Sequence, residues 1–144
     1  MKTRFSSLVT IKKSTMQKSE RVVQSANADL NSALIALELS NNSLNSVETP
    51  KNGVMAGFLA SRTLLDSGRN LIKHNREWVS YARGQVTIAK NQLKLDMVEY
   101  EKFNYLDLQE VKKIIKEREQ KEAKELDEIA LMTYTRNKTI RESL

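Results

Sequence analysis

A chain of 144 residues with a net charge of +6 has the length of one ordinary domain, yet four Gly and a single Pro leave almost nothing with which to build turns. Hydrophobic residues make up 40%, aromatics only 6% and charged residues 29%, a balance that suits narrow apolar seams in an elongated molecule and argues against a broad globular core. The absence of Cys excludes disulfide frameworks and thiolate metal sites.

At the N-terminus, Lys2 and Arg4 precede an apolar stretch, residues 5–11, that contains Ser6, Ser7 and Thr10 and stops at Lys12-Lys13. That stretch is too short for a signal peptide. No window approaches the roughly 18 uncharged apolar residues of a spanning helix, so a soluble protein is expected. The glycosylation patterns at Asn41-Asn42-Ser43 and Asn137-Lys138-Thr139 lose their meaning without export. Residues 1–21 carry Lys2, Arg4, Lys12, Lys13, Lys18 and Arg21 against Glu20 alone, so basicity sits mainly at this end.

Val9, Met16, Val23, Leu30, Leu37 and Leu44 recur every seventh residue without exception, the period of a coiled-coil helix. The companion inner positions, Phe5, Lys12, Ser19, Ala26, Ala33, Ser40 and Val47, are small or polar through the middle, which makes the seam thin. A first helix is predicted over 3–47 and a turn over 48–53, where Pro50 disfavours helix before it and Gly53 permits positive φ. A second series, Phe58, Leu65, Ile72, Val79, Val86, Leu93 and Tyr100, predicts a helix over 54–134 with a kink near 67–70, where Gly68 falls. The series fails at Asp107 and resumes one residue later through Leu108, Val111, Ile115, Leu126, Ile129 and Met132. This phase slip turns the apolar face. Between 107 and 128 acids and bases alternate closely, the pattern of a solvated helix with i,i+4 pairs, and the tail at 135–144 is expected to fray.

The fold expected is all-α: a single coiled-coil domain over 1–144, an elongated antiparallel two-helix hairpin whose C-terminal helix is the longer and overhangs. A tight turn would set Leu44 on Phe58, Leu37 on Leu65 and Val9 on Leu93, leaving a stretch from about 101 to 134 unpaired, roughly 50 Å at 1.5 Å per residue. A longer connection through 54–68 would slide helix one further along helix two. With Ser19, Ser40, Gly68, Asn75 and Asp96 at inner positions, burial barely balances the entropy of ordering the chain, so the free hairpin should be marginal.

No catalytic constellation is present, and a two-helix hairpin offers no pocket in which to desolvate one. Gly53-Val54-Met55-Ala56-Gly57 lacks the Lys-Ser/Thr of a phosphate loop and reads as turn and helix start. His74 is the only histidine and has no Glu-x-x-His partner, so it reads as polarity on the helix. Trp78 beside Val79 reads as packing, and Glu125, Asp127 and Glu128 as a charge network with Lys121 and Lys124. No metal, cofactor or small-molecule substrate is therefore expected. The basic N-terminus has no aromatic interleaving, which argues against nucleic acid. Phe5, Leu8, Val9 and Ile11 form an amphipathic turn suited to an acidic protein surface.

The segments Lys2-Thr3-Arg4-Phe5-Ser6-Ser7-Leu8-Val9-Thr10-Ile11-Lys12-Lys13 and Leu126-Asp127-Glu128-Ile129-Ala130, the latter followed by Arg136, resemble the two ends of the flagellar export protein FliJ family. The resemblance implies a cytoplasmic coiled coil similar to the γ stalk of rotary ATPases, peripheral at the inner face of the cell membrane at the flagellar base. Its implied partners are the hexameric ATPase of type III export, the membrane export gate and export chaperones, in the service of motility and chemotaxis. By position, Phe5, Leu8, Lys12, Lys13, Asp127, Glu128, Leu131 and Arg136 would bind the ATPase, and Leu64, Leu65, Leu71 and His74 near the hairpin end would face the gate. The alternative reading is a cytosolic coiled-coil scaffold or self-associating adaptor.

Overall fold

The computed structural model describes residues 1–143, which form two helices, α1 (Ser6–Asn45) and α2 (Met55–Glu142), and no strand. The two helices pack against each other antiparallel, as the paired heptads predict. The residues divide into two compact units: Lys13–Val98, which contains the turn, and residues 1–12 with the chain from Glu99 onward.

In the turn-containing unit the inner positions of the first heptad are the buried ones. Ala33 is sealed completely, in contact with buried Val79 and Ala82, and Ala26 packs with Val86 and Ala89; Val23, Leu30 and Leu37 cover these clusters from the side. Small residues hold the centre because an Ala side chain lets two helix backbones approach closely, while the larger residues of the Val9 series reach around the contact and stay half-buried. Next to the alanines, buried Asn75 donates its side-chain amide to the Ala36 carbonyl (3.2 Å) and to Ser40 Oγ (3.1 Å), and Ser40 donates to the Leu37 carbonyl (2.8 Å). Ser19 in turn donates to Asp96, which also accepts from Gln92 (3.1 Å).

These contacts correct the tight register. Leu44 lies against Gly68, not Phe58, and Ala33 against Val79 and Ala82, so helix one sits further along helix two. The connection after Asn45 is correspondingly longer than a tight turn: it runs to Val54, with Gly53 at φ 147°, a conformation that glycine permits. Residues 55–60 of α2 are all exposed, Met55 and Leu59 among them. No kink occurs at 67–70; α2 is continuous, and Gly68 serves instead as the flat spot that admits Leu44, whose Cδ1 lies 2.9 Å from where a Cβ would stand. Helix α2 also runs past 134 to Glu142. Thr133, Thr135 and Thr139 there bond to the carbonyls four residues earlier, so polar side chains sit on the helix without leaving it.

Two stability tests follow. Gly84 faces open space in mid-helix, so Gly84→Ala should raise stability by about 1 kcal/mol in a thermal or urea melt. Asn75→Ala should lower it by about 1–3 kcal/mol, because the side chain that ties α2 to the Ala36 carbonyl and Ser40 is lost at a buried position.

Candidate functional site

The second unit holds both ends of the chain. Its N-terminal turn is a reciprocal cap: the Thr3 hydroxyl accepts from Phe5 N–H (3.1 Å), and Ser6 Oγ accepts from Thr3 N–H (2.8 Å). The same two hydroxyls reach across to α2 and donate to one carboxylate, Asp107, with Ser6 at 3.3 Å. A carboxylate at an inner heptad position is an anomaly in the sequence and a clasp in the structure.

Charged groups tighten this end. Arg4 lies 3.6 Å from Glu110 and stacks over the Phe5 ring at 5.0 Å, and Lys12 lies 3.7 Å from Glu99 and over the Phe103 ring at 5.5 Å. Exposed ion pairs of this kind are each worth only a few tenths of a kcal/mol, but here they lie on both sides of the hydroxyl clasp. Part of the N-terminal basicity is therefore spent on the hairpin itself. Lys2 and Lys13 remain exposed.

Beyond the clasp α2 continues alone. From Ile115 to Ser143 every residue is exposed, so the unpaired stretch begins about four turns later than the tight register implies. Its helical part is roughly 40 Å long at 1.5 Å per residue. The inner track of α2 through Asp107, Glu110 and Ile114 leads on to Glu117, Lys121, Lys124 and Glu128, all charged, so the seam does not continue past α1. Apolar residues reappear on a rotated face, where Leu126, Ile129, Leu131 and Met132 are each more than half exposed.

Of the residues expected at an ATPase contact, Leu8, Lys12 and Lys13 lie on the first turns of α1 and Phe5 immediately before it. Phe5 and Lys12 are half-buried, Leu8 and Lys13 exposed. Asp127, Glu128, Leu131 and Arg136 sit together on the overhang, all exposed. The two groups are not joined: Asp127 is about 30 Å along α2 from Asp107, where α1 begins. Of the residues expected at a gate contact, Leu64, Leu71 and His74 are exposed and Leu65 is half-buried in the seam. His74 forms a shallow surface depression with Glu77, Trp78 and Tyr81. Trp78, read from sequence as packing, is more than a third exposed. Sequence reasoning passed over Asp107, Glu99 and Glu110; the signal was the carboxylate at which the second heptad series breaks.

Among the described residues, no group of three or more His, Asp or Glu could hold a metal ion. None of their helices is long and apolar enough to cross a membrane. The family model described as Flagellar FliJ protein matches residues 1–139. No curated protein and no solved structure shows significant similarity to the chain.

The clasp can be tested directly. Asp107→Ala should weaken the N-terminal turn by about 1–2 kcal/mol, seen as faster amide hydrogen exchange over residues 6–12 with exchange around Ala33 and Val79 unchanged.

Proposed function

The chain belongs to the Flagellar FliJ protein family, and from that premise we propose that it is a non-catalytic stalk of the flagellar type III export apparatus. In this reading it binds and stimulates the hexameric export ATPase, links that ring to the export gate and escorts export chaperones. It works in the cytoplasm, held peripherally at the membrane by its partners.

The observation that carries the reading is the overhang. A helix that folds on a partner normally does so by its apolar face, and here some forty ångströms of α2 have no partner among the described residues and carry exposed apolar side chains from Leu126 onward. Solvated pairs keep such a helix soluble, while Leu126, Ile129, Leu131 and Met132 offer a surface that a ring could close around. Leu8 and Lys13, exposed on the first turns of α1, supply a second contact. The role needs no reacting groups of its own: a stalk changes the ATPase by binding its conformations unequally. The scaffold reading draws on the same exposed residues, but it requires that the overhang pair with another copy of itself.

Deletion of residues 126–144 should abolish association with the purified export ATPase, and with it the stimulation of ATP hydrolysis, while circular dichroism keeps most of its helical signal. Undiminished binding by the truncated chain would remove the overhang from the ATPase contact. A mass in solution that stays dimeric or larger on dilution would favour the scaffold instead.

A further inference from the structure

Helix α2 carries a second periodicity that the seam does not explain. Arg62, Arg69, Arg76, Arg83 and Lys90 recur every seventh residue, all exposed. Each of the last three stands four residues after a buried residue of the seam, Ile72, Val79 or Val86, so the row runs beside the seam and parallel to it. Successive cations are about 10.5 Å apart along the helix and the row is about 42 Å long.

The other flank of the seam has a different character. There Tyr81, Gln85, Ile88 and Gln92 share a depression with Val22, Ser25 and Asp29 of α1. The aromatic and aliphatic side chains of this part of α2, Trp78, Tyr81 and Ile88, are thus separated from the cations by the width of the helix.

The row has almost no internal counter-charge. Among the described residues only Arg69 has a carboxylate in range, Asp66 at 3.7 Å. On α1 the positions equivalent to the row are Lys13, Glu20, Asn27, Leu34 and Asn41, of which the three through the middle of the seam are uncharged. In a self-contained antiparallel pair these flanking positions would hold acids facing the cations across the seam. Here five like charges are held in line, which carries a repulsive cost, and among the described residues the one ion pair that offsets it is that of Arg69 with Asp66.

We propose that this row is a docking strip for an acidic helix of a partner protein, with carboxylates every seventh residue along one side. Only another helix on a heptad repeat matches a straight row with this spacing over its whole length. Four of the five cations are arginine, whose planar fork pairs two-on-two with a carboxylate. The flank contains Lys73, Ser80 and Thr87 but no exposed aromatic, so it lacks the apolar wedge of a membrane-binding face and the stacking surface of a single-strand binder. A duplex backbone winds away from a straight row. The strip lies wholly within the turn-containing unit and is independent of the overhang.

The test uses the full chain and two synthetic helical peptides of five heptads, read by fluorescence anisotropy. One has Glu at a single heptad position throughout; the other has the same composition with the Glu residues redistributed. The periodic peptide should bind about tenfold or more tightly than its isomer, with an affinity that falls as salt rises. Replacement of all five cations by Gln (R62Q, R69Q, R76Q, R83Q, K90Q) should remove that binding at unchanged circular dichroism, whereas K112Q, K113Q and K116Q together should leave it intact. If the five-fold variant folds poorly, R76Q with R83Q should still weaken binding severalfold. Equal binding of the two peptides, or undiminished binding by the row variants, would overturn the proposal. So would tight binding to phosphatidylserine vesicles or single-stranded RNA with none to either peptide.

Discussion

A seam only two helices wide cannot seal a large side chain, because a large residue at the contact reaches solvent on at least one side. Among the described residues the one side chain shut off completely is that of Ala33, and no large residue is fully buried. Small inner residues bring the backbones close, and the leucines and valines of the first heptad wrap the contact without being enclosed by it. Apolar burial of this kind stabilises any alignment of two heptads almost equally. What distinguishes one alignment from the next is therefore polar: Ser40 with Asn75, Ser19 with Asp96, and Thr3 and Ser6 with Asp107. All three are satisfied together in one register. Among the described residues no buried side-chain nitrogen or oxygen lacks a partner. A slip by one heptad would keep most apolar contacts and strand the polar ones, at about 1–3 kcal/mol for each buried group left unpaired.

That degeneracy also sets what could be read from the sequence. Unbroken seven-residue series and a single turn made the two helices and their antiparallel pairing plain. The register was hidden, because series with a common period look alike at every shift of seven. The inner polar residues held the missing information, but as a matching problem between distant segments: Ser19 and Asp96 each look like a weakness until they are set face to face. Asp107 shows the same thing at the end of the hairpin. Read along the chain it interrupts a heptad; in space it receives the capping hydroxyls of α1. Arg4 and Lys12 were legible as charge and not as partners of Glu110 and Glu99. The persistence of helix to Glu142 escaped notice for a different reason. Threonines lower helix propensity on average, yet each of Thr133, Thr135 and Thr139 returns its hydroxyl to its own backbone.

The polar register decides which part of α2 is left free. With Asp107 held by Thr3 and Ser6, the described residues cover α2 as far as Ile114, so the position of one carboxylate goes with the point at which α2 becomes exposed on all sides. The rotation of its apolar face serves the same end. Had the seam continued as Leu and Val, the overhang would be an invitation to pair with any passing heptad, including another copy of the chain. Charged residues at Glu117, Lys121, Lys124 and Glu128 block that continuation, and the apolar residues return only on another face.

Within the turn-containing unit the same economy separates the two flanks of α2. The seam consumes one side of the helix and leaves a cationic edge and an apolar edge to either side of it, built from alternating members of the same turns: Arg76 and Trp78, Arg83 and Tyr81, Lys90 and Ile88. A partner helix on the cationic edge would leave Trp78 and Tyr81 open, and a partner on the apolar edge would leave the arginines open. Two helices can therefore present two chemically distinct surfaces at the same level of the hairpin, because the contact between them needs so little of either one. A broader core, which would make the protein more stable, would bury the edges that this arrangement keeps available.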